Sequence, residues 1–183
     1  MDKNRLSKTI SEALNGQITK EAHASQIYLS YGSWAASEGF IGISDFLFRH
    51  AEEERNHMMK ILEYIIKRSS KVNISAIPAP AENPATIHNC FERVFDHEVD
   101  NTKAIYALVK LSFDEGDWAT WNFLQWFVKE QIEEETLAIT LIDKLKMAGG
   151  ENASSSALYS FDRDMEKASD KSVSAEDITA INP

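Results

Sequence analysis

Residues 47–65 carry an apolar stripe at helical spacing that is broken in its middle by Glu54 and His57. Its members are Leu47, Ala51, Glu54, His57/Met58, Ile61 and Ile65. Steps of three and four put all of them on one face of an α-helix. A face that is otherwise apolar packs on a core. Burying an ionised carboxylate there without a partner costs on the order of several kcal/mol. A glutamate and a histidine one turn apart on such a face need a shared partner. A divalent cation is one, because carboxylate oxygen and imidazole nitrogen suit iron, manganese and zinc. A hydrogen-bonded core Glu–His pair has the same spacing, so the motif alone leaves both readings open.

Three more stripes frame this one. The first helix is predicted over 5–37, with Leu6, Ile10, Ala13/Leu14, Gln17, Glu21, Ser25 and Tyr28 in line. Gly39 and Gly42 frame the turn after it. Ser44 reads as the N-cap of the second helix, which fades near 68–71. Three of the chain's 4 prolines, Pro78, Pro80 and Pro84, then fall in 72–85 and bar a continuous helix. The third helix spans 86–114, with Ile87, Phe91, Val94, Glu98, Ile105 and Leu108 on one face. Glu115-Gly116-Asp117 breaks it. The fourth spans 118–147, with Leu124, Phe127, Gln131, Glu134, Ala138, Leu141 and Leu145 aligned. Gly149-Gly150 ends it. A short fifth helix is expected over 154–168, and 169–183 reads as a flexible tail beyond a domain of 1–168. No segment has strand periodicity. The first and last hairpins are short, so those helices run antiparallel. The connection between helices two and three, about 15 residues, spans roughly 50 Å when extended. That exceeds the roughly 38 Å length of a 25-residue helix. The fold class is all-α: a four-helix bundle with a long crossover between helices two and three.

The polar break recurs on every helix. Glu21, Glu54 with His57, Glu98, and Gln131 with Glu134 all lie in mid-helix, at one level. Such a cluster does not stay ionised without cations. Di-iron carboxylate bundles use one Glu from each of two helices and Glu-x-x-His from each of the other two. Glu21, Glu98 and Glu54/His57 match, whereas Gln131-x-x-Glu134 stands where a second Glu-x-x-His belongs. One metal would take Glu21, Glu54 and His57. The other would take Glu98 and Glu54, with Glu134 or Gln131 held weakly. Glu53, Glu130, Glu133 and Glu134 offer a third, all-oxygen site, or form a solvated acidic face. Tyr28 lies two turns after Glu21 and is placed to hold a ligating carboxylate. His97 points about 100° away from Glu98, His88 is expected to be exposed, and His50 sits one turn before Glu54.

Composition narrows the partners. A formal net charge of −10 and a pI near 5.0 argue against nucleic acid or an anionic membrane and favour cations. A single cysteine, Cys90, excludes a disulfide framework and a CxxC metal knuckle, and fits a reducing cytoplasm. No stretch approaches the roughly 20 apolar residues of a membrane span, and residues 1–17 lack a signal-peptide core.

The segments FLFRHAEEERNHM (46–58), FDHEVDNTKAI (95–105), NFLQWFVKEQIEEE (122–135) and LIDKLKMAGG (141–150), with Glu21 and Tyr28, resemble the prokaryotic non-haem ferritins. The resemblance covers residues 5–165 and implies the ferritin-like fold with a ferroxidase centre. It implies that Glu21, Glu54 and His57 hold the first iron. Glu54 bridges to a second, held by Glu98 near Gln131 and Glu134. Glu53, Glu130, Glu133 and Glu134 match the family's third iron site, and Tyr28 matches a tyrosine beside the centre. It further implies a homo-oligomeric shell of 24 subunits with octahedral symmetry, in which Fe(II) is oxidised by O2 or H2O2 and stored as ferric mineral. Bacterioferritins differ: they keep Glu-x-x-His on the fourth helix and place a haem-ligating methionine where Arg55 stands, so no haem is expected. A small di-iron or di-manganese oxidase on the same bundle is the competing enzyme reading, and a helical interaction protein whose acids face water is the non-enzymatic one.

Overall fold

The computed structural model describes residues 3–166, and within them every regular element is helical. α1 spans Lys8–Ser37, α2 Ile41–Lys67, α3 Ile87–Asp114 and α4 Trp118–Met147. A 3-10 turn at Gly150–Asn152 leads to α5, helical from 155 to the limit of the described residues at 166. The expected 169–183 tail lies outside the described residues.

Each end has a local cause. Ser7, Thr86 and Asp117 accept hydrogen bonds from the backbone amides of Ile10, Asn89 and Thr120, the N-cap arrangement that satisfies free donors of a first turn. α1 therefore begins at Lys8, three residues later than the apolar stripe alone predicts. Both hairpins are three-residue links carrying Glu-Gly. Gly39 and Gly116 sit in them at φ 87° and 68°, where a side chain would be strained. Ser44 is not the N-cap of α2. That helix starts at Ile41 behind Phe40, which offers no capping side chain. Ser44 is buried inside it and donates to the Gly32 carbonyl, tying α2 to α1.

The missing cap is supplied from α5. The Asp162 carboxylate accepts from the Ile43 amide at 2.9 Å, an anion at a helix N-terminus. Phe161 and Met165 bury themselves in the core beside it, and Phe161 meets Phe91 edge-on at 5.9 Å. Gly42 makes this docking possible, because a Cβ there would overlap the Asp162 carbonyl.

The crossover runs along α1 from one end of the bundle to the other. At its start Asn15 holds both the Lys71 carbonyl and the Asn73 amide. Ala79 reaches His23, and near its end the Glu82 carbonyl accepts from Arg93 of α3. α1 packs on α2 and α3 on α4 as two antiparallel hairpins, and α1 meets α3 across the centre. The ferritin-like topology expected from the loop lengths is the one observed.

Gly42→Ala should loosen α5. Overpacking of this kind costs about 1–3 kcal/mol. The apoprotein should melt several degrees lower, and proteolysis should cut faster near 149–154. An unchanged cleavage rate would show that α5 does not rest on Gly42.

Candidate metal centre

The core is not continuous. An apolar cluster built on Tyr28, Leu47, Phe91 and Leu145 fills one half of the bundle. A second, built on Leu14, Ile61, Leu124 and Phe127, fills the other. Between them lies a polar belt: Glu21, Glu54, His57, Glu98, Gln131 and Glu134, each buried. All are held at one level because each lies near the middle of its helix and the hairpins have equal three-residue links.

Glu54 and His57 face one another one turn apart on α2, with Oε2 and Nδ1 separated by 3.5 Å. Both atoms are fully buried and neither has a hydrogen-bond partner. Native structures rarely leave buried polar atoms orphaned, so each such atom needs an explanation. A shared cation satisfies both. Glu21 completes the group: it, Glu54 and His57 each bring one ligand atom within 4.8 Å of the others. Trp126 and Phe127 meet the His57 ring edge-on at 5.4 and 6.0 Å and fix its plane. The donor set fits a divalent transition metal.

Two further groups adjoin the first. Glu53, His57 and Glu130 form one, and His50, Glu53 and Glu134 another, again with ligand atoms within 4.8 Å. His57 belongs to the first and second, and Glu53 to the second and third. The series runs from a fully buried trio to half-buried ones. His50 is oriented by its Nδ1 contact to the Phe46 carbonyl at 3.0 Å, which leaves Nε2 facing Glu134 at 3.7 Å. Glu133 stands apart, on the exposed face, paired with Lys129 at 3.3 Å.

Glu98 joins none of these trios and is clasped by donors instead. Tyr28 donates its hydroxyl at 2.6 Å and Gln131 its amide at 3.2 Å. His97 Nδ1 lies 3.7 Å away, so this side chain does reach Glu98, against the 100° separation expected on the helix. A flexible side chain one residue off-face covers that angle. His88 also departs from expectation: it is buried, 3.3 Å from Glu92 and beside the exposed Glu151.

The belt's charges are not equal. Burial, then Glu21 and Glu98, push the Glu54 carboxyl well above the ordinary carboxylate range. Burial and the neighbouring Glu98, Glu53, Glu130 and Glu133 carry Glu134 up to about 8. Burial also raises Glu130. Glu98 is the exception. Burial pushes it up, but His97, Tyr28 and Gln131 outweigh that and hold it low. Burial and the Glu98 charge raise the Tyr28 phenol in turn, so it stays a donor.

Three belt residues carry no role in the sequence reading. Gln17 is legible only as a stripe member, and Asn101 and Thr102 not at all. Yet all three are buried polar groups in the belt. Their signal is the gap between Glu98 and Ile105, where helical spacing calls for an apolar residue at 101 or 102 and finds Asn-Thr.

Comparison with known proteins agrees with this fold. The family model described as the ferritin-like domain matches residues 11–148. A bacterial non-heme ferritin of Campylobacter jejuni is 40% identical over 144 residues, covering 79% of this chain and 86% of that one. One from Escherichia coli is 34% identical over 154 residues, covering 84% and 92%. The crystal structure of an open pore ferritin from Archaeoglobus fulgidus superposes with a TM-score of 0.85 at 35% identity, covering 88% of this chain and 98% of that one.

The pH dependence of the apoprotein tests the charge assignment. A carboxyl raised from 4.5 to about 8 in the fold stabilises it only while protonated. That contribution is whole below 4.5 and is lost as pH rises towards about 8. Glu134→Gln keeps the neutral shape at every pH. Its melting temperature should therefore match wild type near pH 4.5 and exceed it increasingly up to pH 8. A constant offset would refute the raised value.

Proposed function

This chain belongs to the ferritin family, and on that premise we propose that it oxidises Fe(II) at a dinuclear centre within each bundle and stores the product as ferric mineral inside an oligomeric shell. The observation that carries the reading is the pair of orphaned atoms, Glu54 Oε2 and His57 Nδ1, facing each other at 3.5 Å between two apolar cores.

Iron is the substrate. The first Fe(II) takes Glu21, Glu54 and His57, the trio whose ligand atoms already converge. The second takes the far side of Glu54 together with Glu98, near Gln131 and Glu134. A carboxylate offers about four lone-pair positions, so Glu98 can keep Tyr28 on one oxygen and Gln131 on the other and still bind metal. Binding displaces the proton held on Glu134 and works against the raised affinity of Glu54 for its own, because a ligating carboxylate must be ionised. Two Fe(II) then give one electron each to O2, which takes up two protons and leaves as H2O2. With H2O2 as oxidant the same two electrons and two protons yield two waters. Holding both metals on one bridging carboxylate makes the two-electron step intramolecular. Hydrolysis of the ferric ions to oxide-hydroxide releases protons and moves iron on to the mineral.

Glu53, Glu130 and Glu134, sharing His57 and His50, form a third position on the outer side of the centre, with Glu133 on the exposed face beside it. Their graded burial suits an ion in transit rather than one permanently held. Exposed apolar side chains support assembly: Ile66, Phe113, Trp118 and Ile132 are each more than half exposed in the single chain. We propose a 24-subunit shell of octahedral symmetry in the cytoplasm. Among the described residues no helix is long and apolar enough to cross a membrane.

Fe(II) added in air to the metal-free assembly should show a fast phase of about two irons per chain, then slower mineral growth. Glu54→Ala or His57→Ala should slow the fast phase at least about tenfold. Size-exclusion should place the assembly near half a megadalton for 24 copies of a 20.7 kDa chain. A fast phase untouched by both substitutions would reject the site. A small oligomer with an intact fast phase would point to an oxidase without storage.

A further inference from the structure

We propose that Asn101 sets the polarity of a buried amide chain joining Glu21 to Glu98, so that Gln131 serves the centre as a hydrogen-bond donor to Glu98 and the two metal positions bind interdependently. The proposal rests on the dinuclear reading above.

The chain is continuous. Gln17 Nε2 donates to Glu21 Oε1 at 2.7 Å and to Asn101 Oδ1 at 2.6 Å. Asn101 Nδ2 donates to Glu21 Oε2 at 3.4 Å and to Gln131 Oε1 at 3.3 Å. Gln131 Nε2 donates to Glu98 Oε2 at 3.2 Å, and lies 3.3 Å from both the Glu98 carbonyl and Thr102 Oγ1. The three amides come from α1, α3 and α4 and are at most 6% exposed, so water does not substitute for any link.

Only one direction works. Ionised carboxylates accept and do not donate. Reversing Asn101 would set its oxygen against Glu21 and the Gln131 carbonyl, and its NH2 against that of Gln17. Reversing Gln131 would set its oxygen against the Glu98 carboxylate and carbonyl. Thr102 closes the far end: its hydroxyl donates to Glu135 at 2.5 Å and so presents a lone pair to Gln131. The Gln131 carbonyl is thereby tied to Asn101. A residue that sequence reading treats as a weak oxygen ligand is instead a positioning residue that presents N–H. Buried networks of this kind gain from each link and lose when one is broken. When metal draws Glu21 inward, the strain on Gln17 and Asn101 passes to Gln131 and Glu98.

Co(II), which air does not readily oxidise in such sites, is the probe. It is titrated anaerobically into the assembled, metal-free protein and followed by its ligand-field absorption. The Glu21-side and Glu98-side events are assigned by their loss in Glu21→Ala and Glu98→Ala. Gln17 touches neither Glu98 nor Gln131 in the chain above. Gln17→Leu should nevertheless weaken the Glu98-side event about tenfold, the usual cost of losing an outer-shell partner. It should have no further effect on that event in an Asn101→Leu background. A Gln17→Leu effect confined to the Glu21 side, or one that persists without Asn101, overturns the proposal. If Asn101→Leu does not assemble, the Gln17→Leu result alone decides. Failure of the dinuclear reading looks different: wild type would bind fewer than two Co(II) per chain, or Glu54→Ala would leave binding unchanged.

Discussion

The structure turns on the cost of placing acids where a core should be. Glu21, Glu54, Glu98 and Glu134 are buried between two apolar clusters that would otherwise merge. Ionised and unpaired, each would cost on the order of several kcal/mol, a large share of the roughly 5–15 kcal/mol by which a domain is stable. The chain meets that cost unevenly. Glu98 receives Tyr28 and Gln131, Glu21 receives Gln17, and Glu134 faces His50. Glu54 Oε2 and His57 Nδ1 receive nothing from the protein. The partner that the fold withholds is one that a bound cation would supply.

Such a belt is tolerable only if the rest of the bundle is stiff. The stiffness comes from the two clusters above and below it and from well-made ends. α1, α3 and α4 carry their own caps, and α2 borrows Asp162 from α5. The three-residue links at Gly39 and Gly116 set the register of each hairpin, and the crossover seated on Asn15 and Arg93 brings the hairpins together.

Much of this is legible in the sequence, and the exceptions share a cause. Helical periodicity places α3 and α4 closely because their stripes are long and Gly116, Asp117 and Gly149 mark their ends, whereas α2 starts at Ile41, ahead of the Ser44 cap that the sequence suggests. The trio Glu21, Glu54 and His57 is legible because a charge on an apolar stripe is conspicuous. What sequence spacing misses depends on side-chain reach or on contacts made between helices. His97 bends to Glu98, Ser44 is absorbed into α2 because Asp162 takes over capping, and His88 is covered by the segment near Glu151. Asn101 and Gln17 are missed for another reason. A neutral amide on a stripe costs little if satisfied, so it looks like noise until its partners on other helices are seen.

The unequal treatment of the acids also orders the chemistry. Against burial, the nearby His97 and the Tyr28 and Gln131 donors hold Glu98 low, whereas burial and like charges raise Glu54 well above the ordinary carboxylate range and Glu134 to about 8. The belt therefore holds less negative charge than its formula implies, and an arriving cation would meet Glu98 as a standing charge and Glu134 as an acid to be deprotonated. On the proposed reading metal binding is coupled to proton release, so occupancy would rise with pH. Because Glu134 belongs both to the inner belt and to the outer trio with His50 and Glu53, it is the group whose ionisation links the two. Losing its proton strengthens the outer position and, by repulsion, weakens the hold of its neighbours on their own charge. On the same reading an ion entering one position would change the electrostatics of the next, a property that suits a site for passage and not one for permanent retention.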